Sequence, residues 1–338
     1  MPIKVNDHLS AIVQLQEEGI FTMTEQRANT QRVRPLKVCV LNLMPLKKPT
    51  EIQLLRLLGN SPLQIEVDFC RVVTRETTHT DNSYLDRAYL EFNDIKDNYY
   101  DAFLMTGAPV ETIPFEEVDY WKEIEAYLDW AEYHCYSTMT LCWGAQAALY
   151  HYYGVHKTVL PAKMFGIFPY GLTVKNHPLL RGFDDRYFIP QSRHTAVDDD
   201  AIDACKALQV LSRSVENGIN ICATKDLRRI FVLGHFEYDR YTLANEYYRD
   251  KQKNLPIEMP QFYFPENDTT QEPVFKWRSY AHLFYMNWLN IVYQDTPYDL
   301  TQLAPAESDK LNKALDQYNK ILLQLQRVGA EVKQEKYN

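Results

Sequence analysis

Several features that would assign this chain to a broad class are missing from it. No apolar stretch approaches the roughly 20 residues a membrane-spanning helix requires, so no membrane partner is expected. No basic run exceeds two or three residues, and the formal net charge is −9; this argues against a nucleic-acid backbone as partner. The six cysteines, Cys39, Cys70, Cys135, Cys142, Cys205 and Cys222, have none of the paired spacing that holds zinc. No metal site and no bound cofactor are expected. Internal repeats and low-complexity segments are absent. The opening residues, MPIKVNDHLSAIVQL, lack the apolar core of a secretory signal. The reading that remains is a cytoplasmic protein with mostly reduced thiols whose ligands are small molecules.

What is present suits a globular enzyme. With 46% hydrophobic residues in 338, the chain has material for one large α/β domain or two smaller ones. The 24 tyrosines fit amphipathic packing better than a surface for stacking bases. Apolar runs of strand length alternate with helical patterns: strands at 36–43, 65–73 and 102–106, helices at 50–58 and 115–135. That alternation predicts a mainly parallel sheet flanked by helices. The later half offers weaker strands at 166–174, 209–214, 218–224 and 230–233 with few long helical patterns between them, as in a mixed or antiparallel extension. Residues 255–273, rich in Pro, Asn and Asp, read as a long surface excursion. After Pro297 the chain turns polar, with Leu311, Leu315, Ile321, Leu322 and Leu325 at helical spacing. The organisation expected is one domain over 1–300 and an amphipathic helical tail over 301–338.

Two short motifs look made for one another. In TLCWGAQ, a strand-like run over 136–141 meets a helix-like run over 145–150, which puts Cys142 in a sharp strand-to-helix turn, a nucleophile elbow, with Gly144 as its small residue. The amides that open the following helix favour the thiolate, the attacking species. In GHFEYD, the run 230–233 delivers His235 at a strand tip, and Glu237 two residues on falls on the same face. Cys142, His235 and Glu237 thus read as nucleophile, base and orienting carboxylate.

The chain also carries RPLKVCVLNLMP, TEIQLLRLLGNSPLQIEV, TGAPVE, FEEVDYW, CWGAQA, KMFGIF, QSRHT, GHFEYD, EYYRD and WRSYAHLFYMNWLN in that order. By these marks it resembles the homoserine O-acyltransferases, a family related to class I glutamine amidotransferases, over about 1–300. The resemblance implies that fold, a homodimer, and transfer of an acyl group from an acyl-coenzyme A to an amino-acid hydroxyl through a thioester on Cys142. It implies that Arg249 binds the substrate carboxylate, that Glu246 meets the ammonium, and that Lys163 and Ser192 line the same pocket. It also implies that Glu111 selects acetyl over succinyl, because a carboxylate in the acyl pocket repels a second one. The oxyanion donors expected are the amides of Trp143 and Val110. Acetyl-coenzyme A is then a co-substrate.

Several residues depart from the family pattern: Phe236 stands for a common proline, Leu46 for a lysine with Lys47 retained, and Ala148 for a glycine. The acceptor expected is homoserine, for methionine synthesis, with serine, for cysteine synthesis, as the alternative these departures leave, since the two differ by one methylene. Two rival readings are an amidotransferase-type hydrolase, which would use the same residues, and a binding protein on a decayed scaffold, which predicts loss of one of Cys142, His235 or Glu237, whereas all three are present.

Overall fold

The computed structural model describes residues 3–6, 8–17, 22–23, 34–74 and 80–303. The tail beyond 303, with its leucine pattern, lies outside them. Among the described residues the strands are β1 Ile3–Val5, β2 Thr22–Met23, β3 Leu36–Leu41, β4 Ile65–Cys70, β5 Tyr100–Met105, β6 Cys135–Leu141, β7 Lys157–Leu172, β8 Arg186–Val197, β9 Leu208–Ser214, β10 Gly218–Thr224 and β11 Arg229–Val232. The helices are α1 Ile12–Glu17, α2 Lys47–Leu58, α3 Asn82–Ala88, α4 Phe92–Ile95, α5 Trp121–His134, α6 Trp143–Tyr153, α7 Asp199–Ala204, α8 Thr242–Gln252 and α9 Arg278–Asp295. Among the described residues no helix is long and apolar enough to cross a membrane, and no group of three His, Cys, Asp or Glu is placed to hold a metal.

All the strands join one sheet in the order β2-β1-β4-β3-β5-β6-β11-β10-β9-β7-β8. From β2 to β11 every neighbouring pair is parallel; from β11 to β8 every pair is antiparallel. The expected parallel sheet with an antiparallel extension is therefore the observed one, and β11 is the strand where the two halves meet.

Alternation along the strands divides the core. Val38, Val40, Ala102, Leu104, Met139, Leu141, Ile230 and Val232 face one layer, while Cys39, Leu41, Phe103, Met105, Cys135 and Phe231 face the other. The first layer is closed by α2, through Ile52, Leu54, Leu55 and Leu58, and by α9, through Phe284, Tyr285, Trp288 and Val292. The second is closed by α5, through Trp121, Ile124, Tyr127 and Trp130, and by the alanine-rich face of α6. Each large side chain fully buried here contributes about 1.5–3 kcal/mol of transfer free energy.

Three differences from the sequence reading have local causes. Helix α2 starts at Lys47 rather than residue 50, because Pro49 sits in the first turn, where no backbone N–H is needed. The expected 115–135 helix is instead a short 3-10 turn at Phe115–Glu117 followed by α5. The 255–273 segment does more than cross the surface. Tyr263 and Phe264 are buried with Phe165, Ile167, Leu243 and Trp277 in a third cluster, and Gln261 bridges to β7 at Gly166. Gln261 N–H donates to Phe165 O and Ile167 N–H donates to Gln261 O, both at 2.9 Å. Gly166 permits this contact: its φ is 146°, and a Cβ there would lie 2.3 Å from Gln261 O. Gly166→Ala should detach the segment, lower stability by about 1–3 kcal/mol and open residues 255–273 to proteolysis. Denaturant unfolding and mass mapping of limited digests check both effects.

Candidate active site

Cys142 lies between β6 and α6 with φ 49° and ψ −117°, a conformation that a non-glycine residue adopts only under constraint. The constraint is visible on both sides. Cys142 N–H donates to Val232 O of β11 at 2.7 Å, and Cys142 O accepts the first helical bond, from Gln146 N–H, at 3.1 Å. Close packing of α6 on the end of β5 depends on Gly144, where a Cβ would stand 2.5 Å from Thr106 O.

His235 lies three residues beyond the end of β11, its N–H bonded to Pro190 O of β8 at 3.0 Å. Its Nδ1 is 2.6 Å from Glu237 Oε1, with both side chains buried. Glu237 reaches the ring by a route the sequence reading did not foresee. β11 has already ended, and residues 236–237 form a turn, so strand alternation does not set the pair. The same turn folds Tyr238 over the imidazole at 3.9 Å between ring centroids and 11° between planes. Sequence reasoning missed Tyr238; its only trace was an aromatic residue three positions after the histidine.

Burial by itself lowers the pKa of His235, but negative charge on Cys142 and on Glu237 outweighs it and holds the imidazolium well above its usual 6.5. His235 Nε2 is buried and has no hydrogen-bond partner among the described residues. Cys142 and His235 both open onto one cleft of about 710 Å³. The sign of the linkage follows from the raised pKa. The stabilisation is fully present below pH 6.5, the usual value, and is lost as pH rises through the folded-state value.

The other residues singled out from the sequence divide into those the structure gathers at the cleft and two, Val110 and Trp143, that do not line it. Lys163 of β7, Ser192 of β8, and Glu246 and Arg249 of α8 all line it. Glu246 is their hub: Lys163 Nζ is 2.5 Å from its Oε1, Ser192 Oγ donates to both its oxygens at 2.9 and 3.0 Å, and Arg249 Nη2 lies 3.9 Å away. Arg249 is half exposed and holds Asp250 through Nε at 2.6 Å. Glu111 enters from the other side, its Oε1 accepting from His194 N–H at 3.1 Å. Burial raises the Glu111 pKa, and His194 and Lys163 pull it back.

Val110 is the first of these two. Its N–H is spent on Ala108 O at 2.9 Å and its side chain is buried, so it does not face the cleft. The tight turn at Pro109 causes this. The backbone beside the thiol is instead that of Gly107, where a Cβ would lie 3.2 Å from Cys142 Cβ and 3.6 Å from Trp143 N. Trp143 itself is buried, with its amide at the first position of α6. Of the family departures, Leu46 is exposed at the cleft rim, whereas Lys47 is buried with Nζ 2.6 Å from Asn42 O.

A sheet of this order, with a constrained cysteine at a strand-to-helix turn and a His–Glu pair just beyond the end of the neighbouring strand, has the class I glutamine amidotransferase-like fold. A glutamine amidotransferase from Thermotoga maritima shares the fold, with a TM-score of 0.50 at 11% identity over 78% of this chain and 98% of that one. A family model described as homoserine O-succinyltransferase matches residues 2–298. A homoserine O-acetyltransferase of Agathobacter rectalis is 49% identical over 300 residues, 88% of this chain and 97% of its own length. Another of that name, from Acetivibrio thermocellus, is 49% identical over 304 residues, 90% of this chain and all of its own. The chain belongs to the homoserine O-succinyltransferase family, a family of acyltransferases.

Glu237→Gln should lower the pKa of His235, because it removes one of the two charges that sustain the imidazolium. NMR titration of the imidazole nitrogens in both proteins measures this; an unchanged midpoint would mean that Glu237 serves only packing.

Proposed function

We propose that the protein transfers an acetyl group from acetyl-coenzyme A to the hydroxyl of L-homoserine, by a ping-pong route through a Cys142 thioester, in the cytoplasmic synthesis of methionine. The observation that carries this reading is the shared cleft. It presents the Cys142 thiol, an imidazolium and an ion-paired pocket on one surface, as a two-step transfer to an amino acid requires.

In the first step the Cys142 thiolate attacks the thioester carbonyl. The oxyanion is met by the Trp143 amide and by the backbone at Gly107 and Ala108, in place of Val110. The departing coenzyme A thiolate takes its proton from His235. In the second step His235, through Nε2, removes the proton from the acceptor hydroxyl as that oxygen attacks the acyl-enzyme. Glu237 keeps the ring in the tautomer that presents Nε2, and Tyr238 fixes its plane. Splitting the transfer replaces one difficult encounter with two easier ones.

Arg249 suits the substrate carboxylate, since its half-exposed guanidinium retains free donors. Glu246 suits the ammonium, and Lys163 and Ser192 hold its carboxylate in place. Glu111 supports acetyl as the acyl group. It is largely buried in the cleft wall, where a succinyl carboxylate would meet both its charge and its volume. The names of the 49% identical relatives point the same way.

The test is a steady-state assay with acetyl-coenzyme A and competing homoserine and serine, products identified by mass. O-acetylhomoserine should dominate, Cys142→Ala should abolish turnover, and the wild-type enzyme without acceptor should gain one acetyl group on Cys142. Dominant O-acetylserine would reassign the acceptor, and turnover surviving in Cys142→Ala would refute the thioester. Glu111→Gly should raise the succinyl-to-acetyl preference by about tenfold or more, as expected for removing one repulsive contact of roughly 1.4 kcal/mol or more.

A further inference from the structure

The reactive cleft shares a wall with a second cavity of about 470 Å³, and the shared residues are Gln53, Tyr238, Asp239 and Tyr241. Beyond that wall the second cavity is lined by Arg56, Arg240, Arg278 and His282 around the ring of Phe275. Nothing in the acyl-transfer chemistry described above uses these groups.

Their charges do not cancel. The two carboxylates at this cavity are already engaged: Glu237 holds His235, and Asp239 is ion-paired with Arg56. Arg240 bonds Pro273 O at 2.8 Å and touches Glu272 at 3.1 Å, a carboxylate that is mostly in solvent. Arg278 makes no ion pair among the described residues, and its guanidinium lies 4.4 Å from the Phe275 centroid, with that of Arg240 at 5.6 Å. Two arginines thus converge on one aromatic ring beside the cavity. Arg278 is also the first residue of α9, whose N-cap, Trp277, supplies no side-chain cap. The uncapped N–H groups and positive end of an 18-residue helix therefore add to the same field. His282 Nδ1 is buried here with no partner among the described residues. Burial, Arg278 and Arg56 all favour its neutral form, so the ring is available as a hydrogen-bonding group.

A concave, arginine-lined, partly aromatic site that adjoins the reactive cleft fits an elongated ligand whose reacting group and phosphates lie at opposite ends. We propose that this cavity binds the phosphate groups of the acyl donor's nucleotide end, with Arg240 and Arg278 as their ligands, while the thioester lies over Cys142. The inference rests on the acyl-coenzyme A donor proposed above. It names Arg278 and Arg240 as donor-binding residues and places donor entry on the α9 side of the 236–241 turn.

The experiment compares kcat/KM for acetyl-coenzyme A with that for S-acetyl-N-acetylcysteamine, which keeps the thioester and lacks every phosphate. Arg278→Gln or Arg240→Gln should lower the ratio of the two by about tenfold or more, the weight of a charge-assisted bond to phosphate, and Arg278→Lys should recover part of it. Equal effects on both donors, or none on either, would overturn the proposal. Calorimetry with adenosine 3′,5′-bisphosphate and with inorganic phosphate gives a readout independent of turnover. The bisphosphate should bind the wild-type enzyme and bind Arg278→Gln about tenfold more weakly. No binding, or inorganic phosphate binding as tightly, would overturn a nucleotide site. The two readings fail separately: without the function proposed above, Cys142 is acetylated by neither donor; without this inference, acetylation proceeds and is indifferent to Arg278.

Discussion

The hydrogen bond from Cys142 N–H to Val232 O is the contact on which the site depends. It ties the end of β6 to the end of β11 across 90 residues of sequence, in the register that pairs Leu141 with Val232. Because the two strands are parallel neighbours, their C-terminal ends emerge side by side, and a thiol from one and an imidazole from the other face the same space. The cleft lies at these C-terminal ends, the usual location of ligand sites in open α/β sheets. The parallel half contributes the Cys142 thiol, and the antiparallel half contributes Lys163, Ser192 and His194.

Electrostatics in the crevice follow from burial. A buried imidazolium is costly alone, so His235 carries negative charge on two sides and an aromatic ring on its face. Glu246 is balanced in the same manner by Lys163, Ser192 and Arg249. In each case a carboxylate is fixed by its neighbours before any ligand arrives, which reduces the reorganisation left for binding.

Much of this was legible in the sequence. The parallel strands and the elbow declared themselves because Val, Ile, Leu and Cys runs alternate with helical patterns, and because Cys142 and Gly144 fall where one pattern gives way to the other. The β7–β8 hairpin was read only in part, since Pro161, Pro169 and Pro190 interrupt its strand signal. Helix α9 went unread because its apolar residues are not confined to one stripe; it is buried on several sides, and even Asn287 is buried, bonded to Leu179 O and Arg181 O. The Glu237 contact was anticipated for the wrong reason, as a strand alternation rather than a turn. Val110 was misjudged because nothing in the letters TGAPVE shows that a tight turn consumes its amide.

The backbone at position 142 carries a further implication for how this site can change over evolutionary time. A φ of 49° leaves little room for a second heavy atom on Cβ, so β-branched side chains are poorly tolerated there. Of the short nucleophilic side chains, cysteine and serine fit, whereas threonine meets the backbone. The lineage could therefore exchange sulfur for oxygen with a single atom replaced, yet could not drift to the threonine chemistry that other hydrolases and transferases have adopted. The turn's shape fixes the menu of possible nucleophiles independently of what the enzyme acylates.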